Sequence, residues 1–293
     1  MSKAIIPSLA KEFISTYDAA EKDRVWKQHQ ETFRSFWANR VLATTSAPLS
    51  EDECDMVIRI LDTSAKGHIK HSEAVARVMV TQGAWRRIFK EFRANQKLAA
   101  LIDRIFETDD LDQKAVFTDE LYAMNEGEKN WLTGPSANTI NALLAAYNPF
   151  KNLSIVSLND RRRLIEFLEI SVPFDWEKAP IGTRIVQTNI ILYDGLHAAG
   201  IPGSARTVSK FAYSKPVKAL WKPEDTGKRT VESEGVTVPS DIYDDRNKRP
   251  RFWVEKTIVE DLRAWRGRDF CPQRRIAALS EMGRCNAPFR RVV

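Results

Sequence analysis

The chain has 293 residues, of which 43% are hydrophobic and 29% charged. That length is enough for a sizeable core in one or two domains, and that apolar fraction excludes wholesale disorder. The formal charge of +6 is concentrated at one end: residues 251–293 hold ten Lys or Arg against five Asp or Glu, so the first 250 residues are nearly neutral.

Residues 1–7, Met-Ser-Lys-Ala-Ile-Ile-Pro, lack the apolar core of a secretion signal, and no apolar run reaches the roughly 20 residues of a membrane span. Cys54, Cys271 and Cys285 are odd in number and far apart. They fit no disulfide framework, and a reducing, cytoplasmic setting is expected. With the four histidines they give no zinc-type spacing, so neither metal nor cofactor is implied.

In chain order, Leu9, Phe13 and Tyr17 recur at four-residue steps. Trp26, His29, Phe33, Phe36 and Trp37 follow a three-or-four pattern, which predicts helices with one core-facing stripe and places His29 among packed residues. Ser50 followed by Glu53 reads as a capping box, because the serine oxygen and the glutamate satisfy orphan amides at a helix start. Val57, Ile58 and Leu61 then form the buried face. Val75, Val78 and Met79, then Trp85, Ile88, Phe89 and Phe92, then Leu98, Leu101, Ile102, Ile105 and Phe106 continue the helical period.

Residues 108–134 are acidic and then turn-prone, ending in Thr133-Gly134-Pro135-Ser136, where glycine and proline interrupt helix. A boundary is placed there, giving an all-helical unit over 1–133. A second helical unit covers 134–222. Ser136 is its candidate first cap, and Ile140, Leu143, Leu144 and Tyr147 form an apolar stripe that stops at Asn148-Pro149. A helix from Asp160 turns Leu164, Ile165 and Leu168 inward and Arg161, Arg162 and Arg163 outward. Further helices are predicted over 182–197, 204–213 and 217–221. Residues 223–250 have the composition of an exposed linker, and Phe252, Trp253, Val254, Ile258 and Val259 predict a strand. The fold class is therefore mainly α: two helical units followed by a linker and a short β element within 251–293.

No catalytic motif is complete. A restriction-type nuclease needs an Asp followed by an acidic residue and a lysine spaced so that two carboxylates hold a divalent metal. Asp175-Trp176-Glu177-Lys178 and Val254-Glu255-Lys256 both lack the Glu-x-Lys spacing. Gly227-Lys228-Arg229-Thr230 lacks the upstream glycine and the preceding strand of a phosphate loop. His68 and His71 are three apart and could face the same side of a helix, but the neighbouring Lys66 and Lys70 supply no partner for a metal or acid-base role, and a solvated face is the expectation. The basic segments at Arg86-Arg87, at Arg161-Arg162-Arg163 and from Arg263 onward are candidate phosphate contacts, with Trp131, Trp221, Trp253 and Trp265 available to stack on bases.

The string Arg251-Phe252-Trp253-Val254-Glu255-Lys256-Thr257 resembles the start of the EVE/PUA-like modified-base reader of McrBC-type modification-dependent restriction proteins. In that family such a string opens a small β-barrel. Asn141-Ala142-Leu143-Leu144-Ala145-Ala146-Tyr147-Asn148-Pro149 and Leu220-Trp221-Lys222-Pro223 are similar to helical segments ahead of reader or motor domains in such proteins. The chain departs from the family after Val259. The 34 residues that follow are too few to complete that barrel, and from Glu260 onward they carry eight arginines and no lysine. Either the gene is frameshifted or truncated there, or the segment is a basic, DNA-contacting arm.

The resemblance implies a non-catalytic DNA-binding or assembly component of a restriction-like defence system, with DNA and a motor or nuclease protein as partners. Arg161, Arg162, Arg163, Trp253 and Lys256 are the candidate nucleic-acid-binding residues. A metal-dependent nuclease whose carboxylates converge only in the fold, and a helical protein-interaction scaffold, stand as the alternatives.

Overall fold

The computed structural model describes residues 5–43, 47–62, 74–76 and 80–223. These all fall within the first of two compact units, Met1–Glu232. The second unit, Ser233–Val293, lies outside the described residues, and with it the linker and the strand expected around Trp253 and Lys256. The histidine pair His68 and His71, together with Val78 and Met79, also lies outside them.

Among the described residues the class is mainly α, with eleven α-helices and one π-helical segment. The helices are α1 (Ile6–Thr16), α2 (Ala19–Phe36), α3 (Glu51–Leu61), α4 (Gln82–Ala94), α5 (Gln96–Glu107), α6 (Leu111–Met124), α7 (Asn138–Tyr147), α8 (Leu158–Phe167), α9 (Ile181–Ala198), α10 (Ala205–Ala212) and α11 (Lys215–Trp221). Extended pairing among the described residues is confined to a single parallel bridge between Asp62 and Ala76.

Local chemistry accounts for most starts. The Ser50 hydroxyl accepts from Glu53 N at 3.1 Å while the Glu53 carboxylate accepts from Ser50 N at 2.8 Å, which closes the capping box read from the sequence. Asp18, Thr81, Asn95, Asp110, Ser157 and Ser204 cap α2, α4, α5, α6, α8 and α10 in the simpler way. After α2 the chain continues as a π-helical turn, Trp37–Leu42, in which Ala43 N reaches Ala38 O at 3.2 Å. Phe36, Trp37 and Val41 are all buried across this junction.

Two apolar clusters result. The first joins Trp26, Phe33, Phe36 and Trp37 to the buried faces of α3, α4 and α5 and to α7. Its aromatic rings meet mostly edge to face, as Phe36 on Phe89 (centroids 5.1 Å) and Trp37 on Phe106 (5.0 Å) do. The second joins α8, α9, α10 and α11 to Ile6 and Ala10 of α1. The clusters do not divide at residue 134: α7 belongs to the first, and α1 packs with the last helices, its Phe13 ring 5.5 Å from that of Phe211. Gly134 and Pro135 do interrupt helix, but within one continuous packing unit.

Three local expectations change. The acidic, turn-prone stretch contains α6, which has no apolar stripe because it lies between α5 and α9 and leaves Leu111 and Val116 exposed. Ser136 does not cap α7. Ala137 precedes that helix in a left-handed conformation (φ 54°), and the Ser136 hydroxyl accepts instead from Asn159 at 3.3 Å. Finally, α7 is buried on every side from Thr139 to Tyr147, beyond the single stripe its period suggested.

Candidate functional site

The three consecutive arginines of α8 have different fates. Helical rotation of about 100° per residue separates them, and what lies over each decides the rest. Arg161 is 1% exposed, which overturns its outward placement. Its Nε donates to Ile155 O at 2.6 Å, and Nη1 donates to Ile185 O at 2.9 Å and to Thr188 Oγ1 at 3.2 Å. All three acceptors are neutral, and burial pushes its pKa down to about 9, so it is still a cation near neutrality. Being buried, Arg161 cannot reach a DNA backbone from this position.

Arg162 is exposed and occupied. It pairs with Glu166 and Glu177, both at 3.0 Å, and its guanidinium lies 5.4 Å from the centroid of the Trp176 ring. Arg163 is exposed on the same helix. Trp253 and Lys256 lie outside the described residues; of the three candidates that are described, Arg162 and Arg163 are exposed on α8 and Arg161 is buried. The near-match to a nuclease string, Asp175 to Lys178, is a local turn: Asp175 accepts from Glu177 N at 2.9 Å and pairs with Lys178 at 3.5 Å.

What the structure assembles instead is a recess of about 490 Å³ enclosed by the start of α6, one face of α7, the turn after it, and α8 and α9. Its walls are apolar at Leu144, Phe150, Ile185, Val186 and Ile190. Asn189 on α9 fixes the turn that forms one side, accepting from Leu153 N at 2.8 Å and donating to Lys151 O at 2.9 Å. Asn152 holds the end of α7 through Leu144 O at 3.0 Å and Asn148 O at 3.1 Å.

Arg161 is part of the lining, and its Nη2 has no acceptor among the described residues. Asp109 and Lys151 pair at 2.8 Å at the exposed rim, and that bond holds the Asp109 carboxyl below its ordinary range. Lys114 is half-buried between them and the interior, with no ion pair of its own among the described residues. Burial lowers its pKa. On the α7 wall, Asn141 is 1% exposed. Its Nδ2 donates to Val156 O at 2.7 Å, which fixes the amide orientation, while Oδ1 has no partner.

The recess thus offers more cations than carboxylates in its lining, one buried acceptor without a donor among the described residues, and a largely apolar interior. That combination suits the binding and orientation of a small anion. Sequence reading missed Lys114 and Asn141. The available signal was an asparagine inside the otherwise apolar run Ile140 to Ala146, since a buried amide in such a helix demands partners.

Comparison with protein-family models, with curated proteins and with solved structures finds no match for this chain.

Proposed function

We propose that this protein is a non-catalytic DNA-binding or assembly component of a restriction-like defence system. The observation that carries the reading is the charge asymmetry: a nearly neutral helical body precedes residues 251–293, which carry a surplus of five positive charges and open on the reader-like string around Trp253 and Lys256. In this reading DNA is met by that segment, through backbone neutralisation and stacking, and the helical body serves as the platform for a motor or nuclease partner.

Of the α8 arginines, Arg163 and Arg162 remain candidates for auxiliary phosphate contact, with Arg162 exchanging a carboxylate for a phosphate. The test is binding of the purified chain, with and without residues 260–293, to methylated and unmethylated duplex DNA at two salt concentrations. Binding that survives removal of the segment and responds to methylation supports a reader. Binding that vanishes with the segment and falls steeply with salt reduces the DNA contact to nonspecific charge. Metal-dependent cleavage of the DNA, or no binding by either form, overturns the reading.

A further inference from the structure

Charge and shape in the recess between α6, α7, α8 and α9 specify a ligand class that differs from duplex DNA. The lining carries three cations, Arg161, Lys114 and Lys151, against one carboxylate, Asp109, which pairs with Lys151 and also attracts Lys114, as does Glu107 from outside the lining. Burying a guanidinium against neutral acceptors alone is costly, and the cost falls when an anion enters. Arg161 Nη2, with no acceptor among the described residues, is the donor left for that anion.

That surplus of two positive charges in the lining matches a phosphate monoester, which carries between about −1.5 and −2 near neutrality. A monocarboxylate or a phosphodiester brings one charge and leaves the other unmet. A bare inorganic ion would satisfy the cations but would not use the apolar walls at Leu144, Phe150 and Ile190 or the acceptor at Asn141 Oδ1. An organic body with an N–H or O–H donor and a flat apolar face meets all of these.

We propose that this recess binds a nucleoside monophosphate, with the phosphate between Arg161 and Lys114 and a base or sugar donor on Asn141 Oδ1. The proposal uses only residues of the first unit and does not rest on the DNA contact assigned to residues 251–293, so either proposal can fail without the other.

Isothermal titration of the full chain with the four nucleoside 5′-monophosphates, their nucleosides and inorganic phosphate tests it. At least one monophosphate is expected to bind with one-to-one stoichiometry, about tenfold or more tightly than its nucleoside and than inorganic phosphate. Lys114→Gln, at a half-buried position between the rim and the interior, is expected to weaken it about tenfold. Asn141→Leu, which also abandons the Val156 carbonyl, serves as a second variant, checked for native folding by circular dichroism. Absence of saturable binding by all four monophosphates, equal affinity for inorganic phosphate, or unchanged affinity in Lys114→Gln would each overturn the proposal.

Discussion

Gly182 sits where the first turn of α9 crosses α6, and a Cβ at that position would lie 2.0 Å from Ala115 O, 2.8 Å from its carbonyl carbon and 3.0 Å from its Cα. Carbon-to-oxygen approaches normally stop near about 3.3 Å, so the α6 backbone or the whole start of α9 would have to move by roughly 1.3 Å. That movement also strains the bond from Gly182 N to Asp119 Oδ1, 2.8 Å long, which stands in for the side-chain cap that Pro180 cannot supply. Overpacking costs about 1–3 kcal/mol and a damaged hydrogen bond about 1 kcal/mol more, against a gain of about 1 kcal/mol from replacing glycine by alanine in a helix. Gly182→Ala is therefore expected to lose about 2 kcal/mol, or roughly 4–8 °C in Tm for a unit of this size. Gly83→Ala is the internal control. It makes the same chemical change in α4, where a Cβ would meet nothing closer than Arg87 Nη1 at 3.9 Å, and should be neutral or stabilise by up to about 0.5 kcal/mol. Urea unfolding followed by the fluorescence of Trp26, Trp37 and Trp85, all buried, reports both variants. If Gly182→Ala proves as stable as the parent chain, or the two variants shift together, the close crossing of α6 and α9 is refuted.

Arg161→Ala removes the donor to Ile155 O, Ile185 O and Thr188 Oγ1 and is expected to cost about 3 kcal/mol or more, with Arg161→Lys losing less; a smaller loss for alanine than for Lys114→Gln would contradict the burial of this side chain. Burial pushes the hydroxyls of Tyr122, Tyr147 and Tyr213 above the ordinary value of 10, so the folded chain holds protons that the unfolded chain releases above that pH. Their stabilisation is whole below pH 10 and is lost as pH rises further; Arg161, lowered to about 9, and Lys114, also lowered, work in the opposite direction, but Tyr193 and Cys54, both raised, act with the three tyrosines, so two groups stand against five. Thermal unfolding at about pH 8 and about pH 11 should show a lower Tm at the higher pH, and a flat profile would count against the burial of those hydroxyls. Cys54 is 2% exposed and burial raises its thiol pKa, so in a chain carrying Cys271→Ser and Cys285→Ser its labelling by a thiol reagent should track unfolding. Labelling at the rate of a free thiol in native buffer would place Cys54 outside the core.

Where structure follows from neighbours along the chain, it could be read directly. The periodic stripes of α3, α4 and α5 and the Ser50–Glu53 box involve residues three or four apart, and the physics that selects them acts within a single turn. Helix α8 likewise lies where its Leu164 and Ile165 stripe placed it, and Trp26, Phe33, Phe36 and Trp37 are core residues as their spacing required. The charge distribution, which carries the proposed DNA contact, is a property of the sequence alone.

Other features depend on what crosses from elsewhere. The apolar residues of α6 follow no helical period because α5 and α9 pack on different parts of its surface. The grouping of α1 with α11 joins the two ends of the described chain, and no local pattern encodes which helix covers Ile6. Arg161 differs from Arg162 and Arg163 in nothing that composition or charge reveals. It is the one of the three that meets the carbonyl of Ile185 and the hydroxyl of Thr188, and those groups arrive from α9, about 25 residues further on. The recess has the same origin: Lys114, Asn141 and Arg161 stand on three different helices, and only the packing of α6, α7 and α8 against α9 turns an ordinary lysine, a helical asparagine and one arginine of three into a single cation-lined site.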